Sequence, residues 1–171
     1  NIKVLFEKDT GKILGAQIIG FDGADKRIDV LATAIRAGMT ASELTELELA
    51  YAPPYSSAKD PVNMAGYVIE NIITGKVKQI HWKEALEADG VILDTRTDFE
   101  YAHGHIDGAM HIPLDSLRER LSELPKGKKI YVHCQSGLRS YIACRILLQK
   151  GYDCYNIAGG YGYYDTVYKN K

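Results

Sequence analysis

The stretch Ile130-Tyr131-Val132-His133-Cys134-Gln135-Ser136-Gly137-Leu138-Arg139-Ser140 decides how the second half of the chain is read. Ile130 to Val132 is a short apolar run with the composition of a buried strand. From Ser140 to Gln149 the pattern is helical, with Ile142, Ile146 and Leu147 as the expected buried positions. A cysteine therefore sits at the carboxyl end of a strand, and a helix begins about five residues later. Open parallel sheets bind their ligands at that edge. Successive N–H groups of such a loop form a nest for an anion, reinforced by the helix N-terminus. A thiolate is favoured there: a free cysteine has a pKa of about 8.5, and helix N-termini lower it to roughly 3.5–7.5. Gly137 lets the backbone curl without a Cβ clash. Arg139 supplies either a fixed cation or a tie between the loop and the rest of the domain. The competing reading, Cys134 as a small buried hydrophobe, leaves the glycine, the arginine and the helix start unexplained.

Outward from this loop the pattern alternates between strand and helix. Val91-Ile92-Leu93 reads as a strand, Thr97 with Glu100 as a capping box, and Ala109 to Ile112 as a brief strand. Leu117, Leu121 and Leu124 mark a helix, and Tyr152 to Ile157 is a last strand before the turn Gly159-Gly160-Tyr161-Gly162. Such alternation predicts an α/β domain: a parallel sheet with helices on both faces. The first half differs. Residues 3–6 and 13–20 flank the turn Asp9-Thr10-Gly11-Lys12 and predict an antiparallel hairpin. Ile28, Leu31, Ala32 and Ile35 predict a helix ended by Gly38. Thr40 with Glu43 opens a short helix, and Asp60-Pro61 starts another that carries Met64, Val68, Ile69 and Ile72. The expected organisation is a small α+β domain at 1–75, a linker at 76–80, and the α/β domain at 81–171.

Composition narrows the function. The net charge is −1. Up to residue 80 there are 9 basic and 10 acidic residues, and after it 12 and 12, so no basic face invites nucleic acid or an anionic membrane. No apolar run has the length of a membrane span. The three cysteines, Cys134, Cys144 and Cys154, form no CxxC pair, which fits a reducing compartment, here the cytoplasm. Cys144 falls mid-helix and Cys154 mid-strand, as packing residues do. The chain opens directly on a strand pattern without an initiator methionine, as expected of a piece of a longer protein.

Asp94 and Arg96 follow a strand. For the two together the competing reading is local hydrogen bonding or a salt bridge with Glu100; such a local role is preferred for Asp94, while Arg96 is a candidate for the pocket rim. His103-Gly104-His105 lacks the spacing of a helical ligand pair, so a loop-stabilising role is expected and no metal is assigned. His133 abuts the nucleophile, but neighbouring side chains on an extended chain point to opposite faces, so it is not assigned as a base.

Taken together, Asp94-Thr95-Arg96, Glu100-Tyr101, Gly104-His105-Ile106-Asp107-Gly108-Ala109, Ile112-Pro113-Leu114 and the Cys134 loop resemble a single-domain rhodanese from about residue 80 to 171. The resemblance implies a sulfurtransferase in which Cys134 takes a sulfane sulfur from a small-molecule donor, holds it as a persulfide and hands it to a thiol acceptor. It also implies that amides from Gln135, Ser136, Gly137, Leu138 and Arg139 hold the terminal sulfur. Four residues separate Cys134 from Arg139, whereas tyrosine-phosphatase-like relatives use five. The shorter loop suits a sulfur atom better than a tetrahedral phosphate or arsenate. A catalytically silent binding or dimerisation module is the other alternative.

Residues 1–75 resemble the dimerisation domain of pyridine nucleotide–disulfide oxidoreductases, through Gly11-Lys12-Ile13-Leu14-Gly15-Ala16, Lys26-Arg27-Ile28-Asp29 and Tyr51-Ala52-Pro53-Pro54-Tyr55-Ser56-Ser57-Ala58-Lys59-Asp60-Pro61. The order of the two domains is similar to coenzyme A-disulfide reductase–rhodanese fusions, also known as NADH-dependent persulfide reductases. That resemblance implies a homodimer and a parent protein using FAD, NAD(P)H and coenzyme A. It also implies a role for Tyr51 in the partner subunit's reductase site; the alternative is that Tyr51 simply packs its loop. No GxGxxG fingerprint follows a strand, so the flavin and nicotinamide domains are expected to lie outside this sequence, and no cofactor is assigned to it. The apolar face of the 61–74 helix is a candidate for burial against a partner.

Overall fold

A computed structural model describes residues 1–169 as two compact units, Asn1–Gly75 and Lys76 onward. In the first unit β1 (Ile2–Phe6) and β2 (Ile13–Ile18) pair antiparallel. Their alternation turns Ile2, Val4 and Phe6 toward a core of Ile13, Leu31, Leu44, Val62 and Ile69. Helix α1 (Ala24–Ala37) ends where Gly38 adopts φ 74° and returns its N–H to the last turn. Thr40 and Glu43 form the expected capping box on α2 (Ala41–Glu46). Asp60 caps α3 (Pro61–Ile73) and pairs with Arg27 at 3.2 Å. Gly66 lets α3 approach α2: a Cβ there would meet the Ala41 carbonyl at 2.7 Å. Residues 47–60 form neither strand nor helix.

The second unit is built on five parallel strands, β3 (Lys78–Ile80), β4 (Val91–Asp94), β5 (Met110–His111), β6 (Ile130–His133) and β7 (Cys154–Ile157), in the order β3-β7-β6-β4-β5. Helices α4 (Trp82–Glu87), α5 (Asp98–Ala102), α6 (Leu138–Gln149) and α7 (Gly160–Val167) complete it. Strand alternation sorts the core into two layers. Leu93, Ile130, Val132 and Cys154 pack with α6 residues Ala143, Cys144, Ile146 and Leu147. Tyr131 and Ile157 instead pack with Trp82, Ala85, Ile106 and Tyr161. All four residues of β6 are buried, as a central parallel strand requires. Its carboxyl end delivers Cys134.

Four expectations are corrected. Lys78–Ile80, expected within the linker, is an edge strand paired with Tyr155–Ile157; three residues carry no periodicity, and the pairing partner lies far along the chain. The Leu117, Leu121 and Leu124 pattern forms two short 3-10 turns, Leu114–Ser116 and Leu121–Glu123, rather than one helix. Leu117 and Leu124 are still buried. Ile142, expected in the core, is 39% exposed, because α6 turns Ala143 and Leu147 inward instead. The glycine-rich run after β7 opens α7 rather than ending as a turn. The segment Trp82–Glu87, to which sequence periodicity assigned nothing, is a helix whose Trp82 is buried.

The two sides of α6 make an energetic contrast. Leu147→Ala removes a fully buried side chain and should cost about 2–5 kcal/mol, whereas Ile142→Ala should cost less than about 1 kcal/mol. Chemical denaturation followed at Trp82, in the second unit, measures both.

Candidate active site

Cys134 follows the last residue of β6, and α6 begins at Leu138, two residues earlier than helical periodicity indicated. The turn between them is therefore tight. Gly137 makes it at φ 126°, a conformation only glycine adopts without strain. The Gly137 N–H donates to the Cys134 sulfur at 3.1 Å, and the Ser140 hydroxyl lies 3.5 Å from it. The same hydroxyl is 3.0 Å from the Gly137 carbonyl, so its single proton serves one or the other.

Cys134 is 1% exposed. Burial alone pushes its thiol up, and that is the largest single influence. The Ser140 hydroxyl and the N–H groups of Ser140, Gly137 and Ser136 together outweigh it, so the thiol lies below its ordinary value. This is an anion site made from peptide dipoles and the Ser140 hydroxyl. Gln135 and Leu138 point outward, Leu138 being 64% exposed. Cys144 is the contrast: the neighbouring Cys154 thiol and burial both push it up, and no cation or amide offsets them.

Arg139 ties the loop to α5. Its two terminal nitrogens each meet a Glu100 oxygen at 2.6 Å, a bidentate pair. Glu100 also accepts from the Thr97 N–H, completing the expected capping box. Arg139 is the main reason its carboxyl is held down at about 2.

Arg96 does not reach a rim. It is 2% exposed, with Nε 3.0 Å and Nη2 2.6 Å from the Asp94 carboxylate, a bond to the Gly104 carbonyl at 2.8 Å, and the Tyr161 ring 3.8 Å away. It braces the ends of β4, α5 and α7 beneath the site. Asp94 thus has the local pairing expected of it, with Arg96 as its partner.

His133 is fully buried on the opposite face of the strand from Cys134's neighbours Val132 and Ile130, against Trp82, with Nε2 3.7 Å from Asp94. Burial lowers it to about 4. His103 bonds the Phe99 carbonyl through Nδ1 at 2.7 Å, and His105 stacks on Tyr101 at 4.0 Å, both local to their loop. Tyr51, in the first unit, is 52% exposed in the irregular segment. Sequence reasoning missed Ser140 as a sulfur contact and α7 as a support; a hydroxyl in the first turn after a cysteine was the available signal for the former.

The glycine-rich run enters α7 against the back of the Cys134 loop. The N–H groups of Tyr161 and Gly162 are donated to the carbonyls of Cys134 and Gln135, at 2.7 and 3.0 Å.

The family model for the rhodanese-like domain matches residues 79–165, and that for the pyridine nucleotide-disulphide oxidoreductase dimerisation domain matches residues 1–62. Coenzyme A disulfide reductase of Staphylococcus epidermidis is 52% identical over 67 residues, which are 39% of this chain and 15% of that protein. The crystal structure of reduced Bacillus anthracis CoADR-RHD matches 99% of this chain and 31% of its own at 52% identity and a TM-score of 0.95. A NAD-dependent persulfide reductase from A. fulgidus matches 95% of this chain and 30% of its own at 43% identity and a TM-score of 0.87. The chain spans under a third of the length of these relatives.

Two groups of the site make stability fall with acid in two stages. The unfolded chain protonates His133 near its ordinary 6.5, but the folded unit resists until about 4, so stability drops as pH falls from 6.5 toward 4. Glu100 is depressed from 4.5 to about 2, so its contribution is complete above 4.5 and disappears as pH falls toward 2. Denaturant melts across pH 2–7 should show both stages, and Glu100→Gln should shrink the lower one, leaving the part that Glu43 and Glu123 supply. A His133 ring resonance that titrates near 6.5 would contradict the upper one.

Proposed function

This chain belongs to the rhodanese-like domain family through residues 79–165, and we propose that it is a sulfurtransferase carrying sulfane sulfur on Cys134. The observation that carries this reading is the convergence of loop N–H groups on a buried cysteine sulfur at a strand-to-helix turn. The Cys134 thiolate attacks the outer sulfur of a donor. With thiosulfate, the new S–S bond forms as the sulfur–sulfur bond of the donor breaks, sulfite departs with the electron pair, and Cys134 is left as a persulfide anion. The same amides that favour the thiolate favour this second anion. An acceptor thiolate then attacks the outer sulfur and releases Cys134 as it began. Gln135, Ser136, Gly137, Leu138 and Arg139 form the loop, with Arg139 in a positioning role through Glu100.

The first unit supports a further reading: a homodimer, with sulfur transfer coupled in a longer protein to FAD- and NAD(P)H-dependent reduction of coenzyme A disulfide or persulfides. Tethering would raise the effective concentration of the persulfide at the reductase centre. Tyr51 belongs to this reading as a residue contributed to the partner subunit's site. No residue of this chain is assigned to the flavin or the nicotinamide.

Incubation with thiosulfate or an organic persulfide should add one sulfur atom to the intact mass, mapped to the Cys134 peptide. Cys134→Ser should abolish both the added mass and the release of sulfide with a dithiol. Cys144→Ser should retain both. Undiminished turnover in Cys134→Ser would sink the reading.

A further inference from the structure

Gly160 lies 26 residues beyond the nucleophile, yet it touches the back of its loop. A Cβ on Gly160 would meet the Gln135 carbonyl oxygen at 2.6 Å, the Cys134 carbonyl oxygen at 2.7 Å and the Gln135 carbonyl carbon at 2.7 Å. All three are backbone atoms, so the clash could not be relieved by swinging a side chain. Nor could α7 easily retreat. The carbonyl of Gly160 is held from the other side by the buried Trp82 indole N–H at 2.9 Å, and Tyr161 is packed on Arg96.

What this close approach achieves follows from peptide geometry. In a planar trans peptide the C=O of one residue and the N–H of the next point in opposite directions. The Cys134 carbonyl accepts from the Tyr161 N–H at 2.7 Å, and the Gln135 carbonyl from the Gly162 N–H at 3.0 Å. With both carbonyls drawn back onto α7, the N–H groups of Gln135 and Ser136 face the other way. The Ser136 N–H is among those that act on the Cys134 sulfur. The Gly137 carbonyl is held similarly, by the Tyr141 N–H at 3.0 Å.

We infer that Gly160 is a positioning residue for Cys134: its missing side chain lets the first turn of α7 hold two loop carbonyls outward, and so keeps the loop amides aimed at the sulfur. The inference deepens the sulfur-carrier reading and takes its importance from it. Its test, however, reads ionisation without turnover.

The thiolate absorbance of the whole protein, minus that of Cys134→Ser, gives the Cys134 titration. Gly160→Ala should shift it to higher pH and slow persulfide loading at neutral pH roughly tenfold or more, the scale of losing one aimed donor. Gly127→Ala is the control. It places alanine in the same left-handed region, at φ 78°, with nothing within 4 Å, so it carries the backbone strain without touching the loop. Its titration should match the parent's. Gly162→Pro, in the first turn of α7, puts a ring carbon where the N–H meets the Gln135 carbonyl at 3.0 Å, so that bond is lost and the carbonyl is pushed away. It should shift the titration in the same direction.

If Gly160→Ala folds and titrates like Gly127→Ala, the inference is wrong. If Gly160→Ala does not fold, Gly162→Pro decides: an unshifted titration overturns the inference, and so does failure to fold, since the contact would then hold the domain together rather than aim the loop. Shifted titrations in a protein that loads no sulfur would leave the positioning intact and remove the sulfur-carrier reading instead.

Discussion

Taking a sulfur anion out of water costs free energy that only nearby donors offset, and at Cys134 those donors are the Ser140 hydroxyl and peptide N–H groups. The surrounding unit is arranged to keep them aimed. A central strand buried along its whole length fixes where the cysteine emerges. Gly137 makes the turn that a side chain would obstruct. The first turn of α6 and that of α7 then work on the loop from opposite directions, one offering N–H groups to the sulfur and the other drawing carbonyls away from it.

The two arginines of the neighbourhood are both paired with carboxylates. Arg96 is closed up with Asp94 under Tyr161, whereas Arg139, paired with Glu100, is part-exposed and also acts on Cys134. Each guanidinium joins segments that the backbone alone leaves separate. Arg96 gathers the chain at Asp94, Glu100 and Gly104, and Arg139 joins the cysteine loop to α5. Bidentate arginine suits such joints because its donors are fixed in a plane and its charge never titrates away.

The legible parts of this molecule were those encoded within a few residues. The Thr40–Glu43 and Thr97–Glu100 capping boxes and the Asp60–Pro61 helix start are local geometry, and each forms as its spacing indicates. The parallel α/β character and the hairpin were legible for the same reason, from periodicity that each segment carries by itself. What escaped depends on partners far along the chain. Glu100 reads as half of a capping box, and nothing near it discloses a second bond to Arg139, 39 residues away. Lys78–Ile80 is too short to declare itself a strand until β7 lies beside it. The glycines after β7 look like a turn because their purpose, close backbone approach to the Cys134 loop, exists only once the sheet has assembled.

The nest around Cys134 also sets what the site can distinguish. Its donors surround one atom, and the loop's sole cation is occupied by a carboxylate. A receptor of that kind measures the size and charge of what sits at its centre and is indifferent to the scaffold on which the atom arrives. Choice among delivering molecules falls to whatever surface lies outside the loop, starting with the protruding Leu138. If the loop carries sulfur as proposed, such a division would let one small socket be paired with many different neighbours without redesign of its interior.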